Sequence, residues 1–191
     1  PKVKKDETSF FDSFSQQHPY PLLNYVHKKI YVSYSKQYSR MQNGRPKLLL
    51  PNYSMGYPIL DKEGIMDVGG RSSYVIYVNN DKIEDLKKIQ AFFLTDLALT
   101  LINSLKTAQK FLSTRTFTLF PNITSLPLSS INDAYLSKYF KLGNQEKKSI
   151  EYQVDKGEGN LTQQRRNEIT KFDLNEYLKK NDIEYIKDKL E

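Results

Sequence analysis

The segment Asp81–Thr116, DKIEDLKKIQAFFLTDLALTLINSLKTAQKFLSTRT, decides how the rest of the chain must be arranged. Apolar residues fall at Leu86, Ile89, Phe93, Leu97, Leu101, Leu105, Ala108 and Leu112. Steps of three and four residues stack side chains on one face of an α-helix, so the spacing predicts a single long helix. Asp81, with Glu84 three positions on, has the form of a capping box and supplies the start. The middle, AFFLTDLALTLI, is apolar on most faces and needs cover from other parts of the chain. Asp96 interrupts that run, and Lys87, Lys88 and Lys106 flank it. It is too short and too charged to span a membrane.

On the N-terminal side the pattern changes to strands. His18-Pro19-Tyr20-Pro21 is stiff and extended, because two prolines exclude helix. Lys29–Ser35 alternates, with Ile30, Val32 and Tyr34 on one side. MQNGR, Met41–Arg45, is a turn. PKLLLP, Pro46–Pro51, reads as a short buried strand, and Tyr57–Leu60 as another. Asp61–Gly64 and Asp67–Arg71 are turns, and Ser73–Val78, SYVIYV, is rich in the β-branched and aromatic residues that strands favour.

Beyond the helix, Thr116–Phe120 alternates as a strand. Ser130 with Asp133 opens a short helix that stops at Gly143, and Asn144 restarts one through about Gln153. The segment after Val154 is charged and sparse in large apolar residues, with Asp173 and Glu176 placed to cap a surface helix. The expected organisation is a polar lead-in over 1–17, anchored by Phe10, Phe11 and Phe14, a domain over 18–153, and a charged helical tail over 154–191. The expected fold is α+β: a small mixed β-sheet packed on one long central helix, with C-terminal helices.

At 191 residues and 38% hydrophobic content the chain suits one domain with its own core. It has no Cys, which excludes disulfides, thiolate catalysis and Cys-based zinc sites. The opening PKVKKDETSF has no apolar core of a signal peptide, so an intracellular setting, cytoplasm or virion, is expected. A chain that opens on Pro reads as a piece of something larger.

The net charge of +7 is unevenly spread. Nine Lys/Arg stand against three acids in residues 1–50, eight against seven in 51–130, and twelve against twelve in 131–191. No acid lies between Asp12 and Asp61. That gap holds Lys28, Lys29, Lys36, Arg40, Arg45 and Lys47, interleaved with Tyr20, Tyr25, Tyr31, Tyr34, Tyr38 and Tyr53. Cations without competing carboxylates attract polyanions, and rings between them stack on bases. These six are the expected phosphate contacts. Arg71, in its Gly turn, and Arg115, past the long helix, are candidates for base or phosphate contact.

Catalytic patterns are absent from the sequence. Gly69-Gly70 lacks the Lys and the spacing of a phosphate loop. His18 and His27 have no acid nearby, no nucleophile elbow is present, and Asp61 with Glu63 reads as a solvated pair in a turn. There is no Asp-Pro-Pro-Tyr or Asn-Pro-Pro-Tyr motif and no Gly-rich first strand for S-adenosylmethionine.

The order of several short segments carries a resemblance. They are His18-Pro19-Tyr20-Pro21, Tyr34-Ser35, Pro46–Leu50, Gly56-Tyr57-Pro58, Gly69-Gly70-Arg71, Tyr74–Val78, the Lys82–Leu112 helix and Thr116–Pro121. In this order they resemble the C-terminal target-recognition region of type II restriction–modification DNA N6-adenine methyltransferases, including large-virus homologues. Ile131–Leu142 is similar to the closing motif of that family. Its opening differs, with Ile131-Asn132-Asp133-Ala134 where the family has a Trp-Thr-Asp-Glu pattern. The resemblance covers roughly residues 18–152. It implies a module that grips double-stranded DNA while a separate catalytic domain or subunit, which would hold the S-adenosylmethionine, extrudes an adenine. No cofactor is expected in this segment. The alternative from the same basic face is a non-enzymatic virion or nucleoid component. The sequence does not separate duplex DNA from RNA.

Overall fold

The computed structural model describes residues 10–11, 15, 17, 19–26, 29–51, 58–68, 73–105, 114–156 and 163–179. The chain is α+β. Two sheets form where one was expected. The first has strand order β1-β3-β2-β6, with β1 Phe10–Phe11, β2 Tyr20–Val26, β3 Lys29–Ser35 and β6 Asp67–Val68. β2 and β3 are an antiparallel hairpin with Tyr20 opposite Ser35 and Val26 opposite Lys29, and β6 joins β2 in parallel. The second has order β5-β4-β7, all antiparallel, with β4 Lys47–Pro51, β5 Ile59–Asp61 and β7 Ser73–Ile76. Leu48, Leu49 and Leu50 are each sealed from solvent. A central strand covered on both faces explains why that run is apolar without alternation.

The long helix is broken. α1 spans Ile83–Phe93 and α2 spans Asp96–Leu105. Thr95 causes the break. Its Oγ1 accepts from Ala98 N at 3.2 Å and donates to Phe92 O at 2.7 Å, which makes it the cap of a new helix. The capping box at the start does not form either. Asp81 has φ 52°, and its carboxylate is turned to Arg45. α1 instead opens after Lys82, whose side chain makes no cap. The part of the predicted helix over 106–113 lies outside the described residues.

Residues 114–119 form a 3-10 turn where a strand was expected. Phe117 and Phe120 are three apart, the spacing that a 3-10 turn places on one side. Both rings pack edge-on against Phe93, at 6.3 and 5.4 Å between centroids. α3, Asp133–Tyr139, is capped by Asn132 rather than Ser130, with Tyr135 N donating to its side chain. α4 runs Asn144–Lys156, past the expected end.

The segment expected as a tail contributes to the same core. α5 is Gln163–Lys171 and α6 is Leu174–Lys179, and Ile169, Leu174 and Leu178 are buried in the main cluster. Asp173 caps α6 by accepting from Glu176 N at 3.1 Å, as the sequence indicated. Its other oxygen pairs with Lys62 at 2.9 Å. Among the described residues no helix is long and apolar enough to cross a membrane.

Tyr34 sits in this core at 3% exposure, and burial, with Tyr177 adding to it, pushes its phenol up to about 12. The unfolded chain releases the same proton near 10.0, so it deprotonates first as the pH rises. Stability therefore falls from about pH 10 to about pH 12. Urea denaturation across that window should show the decline, and Tyr34→Phe should flatten much of it.

Candidate nucleic-acid interface

The candidate surface is built from a buried charge pair outward. Lys47 and Asp61 are register partners across β4 and β5, both fully shielded from solvent, with Nζ 3.2 Å from Oδ2. The Lys47 ammonium also donates to Gly64 O at 2.9 Å and to Met41 O. Asp61 accepts from Gly64 N at 2.9 Å, Ile65 N at 3.3 Å and Met66 N at 2.8 Å. Burial pushes the Asp61 carboxyl up and the Lys47 amine down. The partners decide the state. Against that burial, three backbone N–H groups donate to the Asp61 carboxylate and the Lys47 ammonium lies beside it, which favours the charged form of both.

This overturns two expectations. Lys47 is not a phosphate contact, because its charge lies beneath the surface and is already neutralised. Asp61 is not a solvated turn residue. The Asp61-x-x-Gly64 spacing was the available signal, since an Asp side chain that caps its own turn takes N–H groups three to five residues on. Gly64 adopts φ +68°, and a Cβ there would lie 2.3 Å from Arg45 N. Only glycine fits against that backbone.

Above the pair runs the connection from β3 to β4, residues 36–46. It is held from within. Gln42 is 1% exposed, and its Oε1 accepts from Ser39 N at 2.9 Å while its Nε2 donates to Pro21 O at 2.9 Å. Tyr38 donates its hydroxyl to Gln42 O and packs edge-on against Tyr20 at 5.5 Å. Gly44 N donates to Gly64 O at 3.3 Å, which joins the loop to the Asp61 turn. Lys36, Arg40 and Arg45 all face solvent from this frame, with Gln37 and Asn43 between them.

Arg45 has a defined position. Its guanidinium meets both oxygens of Asp81 at 2.9–3.2 Å and lies 5.0 Å above the Tyr77 ring. The hydrogen bonds to Asp81 raise its basicity further.

Of the eight candidate residues, the structure places Lys36, Arg40 and Arg45 exposed on one connection, with Lys47 buried at its end. Lys29 begins β3 at the opposite end, roughly 20 Å away for a seven-residue strand. The single basic face read from the sequence is therefore divided between the two ends of a hairpin. Arg115 falls in the 3-10 turn over 114–119. Lys28 and Arg71 lie outside the described residues, as do His18, His27 and Gly69-Gly70. The sequence reading missed Gln42, Asp61 and Gly64, which shape the loop without carrying its charge.

No family model matches the chain, and no curated protein or solved structure does.

Lys47→Met would leave Asp61 buried with no counter-charge. Loss of one partner from a buried pair costs about 3–5 kcal/mol. Urea unfolding of the variant should show a loss of that size; a change near zero would mean that the pair does not support the loop.

Proposed function

We propose that this chain grips double-stranded DNA through residues 36–46, as the target-recognition module of an adenine methyltransferase. Its catalytic part, with the S-adenosylmethionine, would lie in a separate domain or subunit. The observation that carries the DNA-binding reading is the stiff, acid-free loop that holds Lys36, Arg40 and Arg45 outward over a neutralised base. Cations on a preformed frame lose little conformational entropy when they meet phosphates. Lys36 and Arg40 supply position and salt-dependent affinity, while the exposed amide of Gln37 is of the type that reads base edges. Exposed side chains such as these reach base edges in the open major groove of B-form DNA more readily than in the deep, narrow one of A-form RNA. The methyltransferase assignment rests on the order of segments from His18 to Pro121, and an Asn-Pro-Pro-Tyr motif in a partner or adjoining domain would support it.

Fluorescence anisotropy at two salt concentrations, with DNA and RNA duplexes in parallel, tests the reading. Lys36→Ala and Arg40→Ala should each weaken DNA binding for all sequences and lower the log–log salt slope by about one. Unchanged affinity in both variants, or stronger binding to duplex RNA, would sink it. Binding that is tight but indifferent to sequence would move the role to a nucleoid or virion component.

A further inference from the structure

A second feature opens beside the loop. Between β7, α1 and residues 117–124 lies a cleft of about 480 Å³. Ligand sites of this size are usually apolar with a few polar groups at the edge. Six of the thirteen lining residues are aromatic. Tyr74, Phe92, Phe93, Phe117 and Phe120 all line it, and Tyr74 meets Phe117 edge-on at 4.9 Å. Asn122 and Thr124 form a polar lip.

The cleft is tied to the basic loop through Tyr77. Tyr77 lines the cleft, while Arg45 sits over its ring at 5.0 Å and the Asn43 amide reaches its hydroxyl at 3.5 Å. On the far lip, the Lys88 ammonium donates to Thr124 O at 2.6 Å. Both cations already have acids beside them: Asp81 holds Arg45, and Asp85 lies 3.6 Å from Lys88. A cleft rich in aromatic side chains, with a guanidinium on the ring of one of its lining residues, matches a ligand that joins a flat ring to a phosphate. Flat rings stack on aromatic walls, and a phosphate takes the two-pronged contact that Asp81 now occupies.

We infer that the cleft binds a nucleotide, with the base among Tyr74, Phe93 and Phe117 and the phosphate on Arg45 in place of Asp81. The nucleotide has two possible sources, a free mononucleotide or an unpaired base of a bound strand. The strand source rests on the DNA reading above; the free source does not.

The test titrates the full chain with dAMP, with deoxyadenosine and inorganic phosphate as partial ligands, by calorimetry. In parallel, duplexes with and without one unpaired 2-aminopurine are followed by fluorescence. The inference expects dAMP to bind more tightly than either partial ligand, or the unpaired base to raise duplex affinity. Phe117→Leu, which removes one ring wall, should weaken the response by about tenfold. Thr124→Trp, which closes the mouth without disturbing the core rings, should do the same and decides the matter where Phe117→Leu fails to fold. Asp81→Asn should tighten binding by freeing Arg45. A response to dAMP alone assigns the free source, and a response to the unpaired base alone assigns the strand. dAMP binding with no duplex binding would sink the DNA reading and leave this one standing. Duplex binding with neither dAMP binding nor any effect of the unpaired base, or responses insensitive to both Phe117→Leu and Thr124→Trp, would overturn it.

Discussion

Lys47 and Asp61 meet across two strands, both shielded from solvent, and the loop that carries the exposed cations rests on that contact. Taking an ion out of water costs several kcal/mol, and attraction between the two charges offsets this only when their remaining hydrogen bonds are made. Here they are. Lys47 finds Asp61, Met41 O and Gly64 O, which uses the three protons of the ammonium. Asp61 receives three backbone N–H groups in addition. The pair also fixes register. A slip of one residue between β4 and β5 would leave both charges buried and apart, which the sheet cannot tolerate. One contact thus sets the strand pairing, closes the Asp61–Gly64 turn and pulls the Met41 carbonyl inward, so the loop above has a fixed floor.

The helices are joined to one another by a comparable device. Breaking the rod at Thr95 creates a new N-terminus with unpaired N–H groups. Thr95 takes one of them, from Ala98, and Asp133 at the start of α3 takes another, from Leu97 at 3.0 Å. Arg166 of α5 then pairs with Asp96 and lies 3.6 Å from Asp133. Three elements distant in the chain converge on one helix end. The apolar contacts of Ile169, Leu174 and Leu178 work in the same direction, so the C-terminal helices are held by both polar and apolar contacts.

Local pattern made the strands legible. Lys29–Ser35, Lys47–Pro51 and Ser73–Ile76 were readable because alternation, or an unbroken aliphatic run, reports how a strand is covered. The rod failed because periodicity sees only the apolar face. Thr95 lies off that face, yet its hydroxyl competes for the backbone, and Thr95-Asp96 is itself a start signal hidden within a longer pattern. Thr116–Phe120 failed for a related reason. Over five residues, spacings of two and three are both satisfied, and the tertiary neighbours of Phe117 and Phe120 chose three. The tail was misjudged by composition. Three buried apolar residues in a charged segment are enough to anchor short helices when a core stands ready to receive them.

Charge was legible as a quantity and not as a place. The acid-free stretch from Ser13 to Leu60 is real, yet its cations have different fates. Lys47 turns inward because the next acid in the chain, Asp61, is its cross-strand neighbour. Arg45 turns outward, but an acid from across the fold, Asp81, reaches it through a backbone turn at positive φ. Lys36 and Arg40 stand exposed on the same loop. Sequence distance from an acid therefore says little about neutralisation. A β-sheet brings residues 14 apart into contact and a long connection brings residues 36 apart, so a run of uniform charge is sorted by topology into support, latch and contact. That sorting gives the loop a hydrogen-bonded base under exposed cations, an arrangement in which little backbone ordering is needed before they meet a regular row of phosphates.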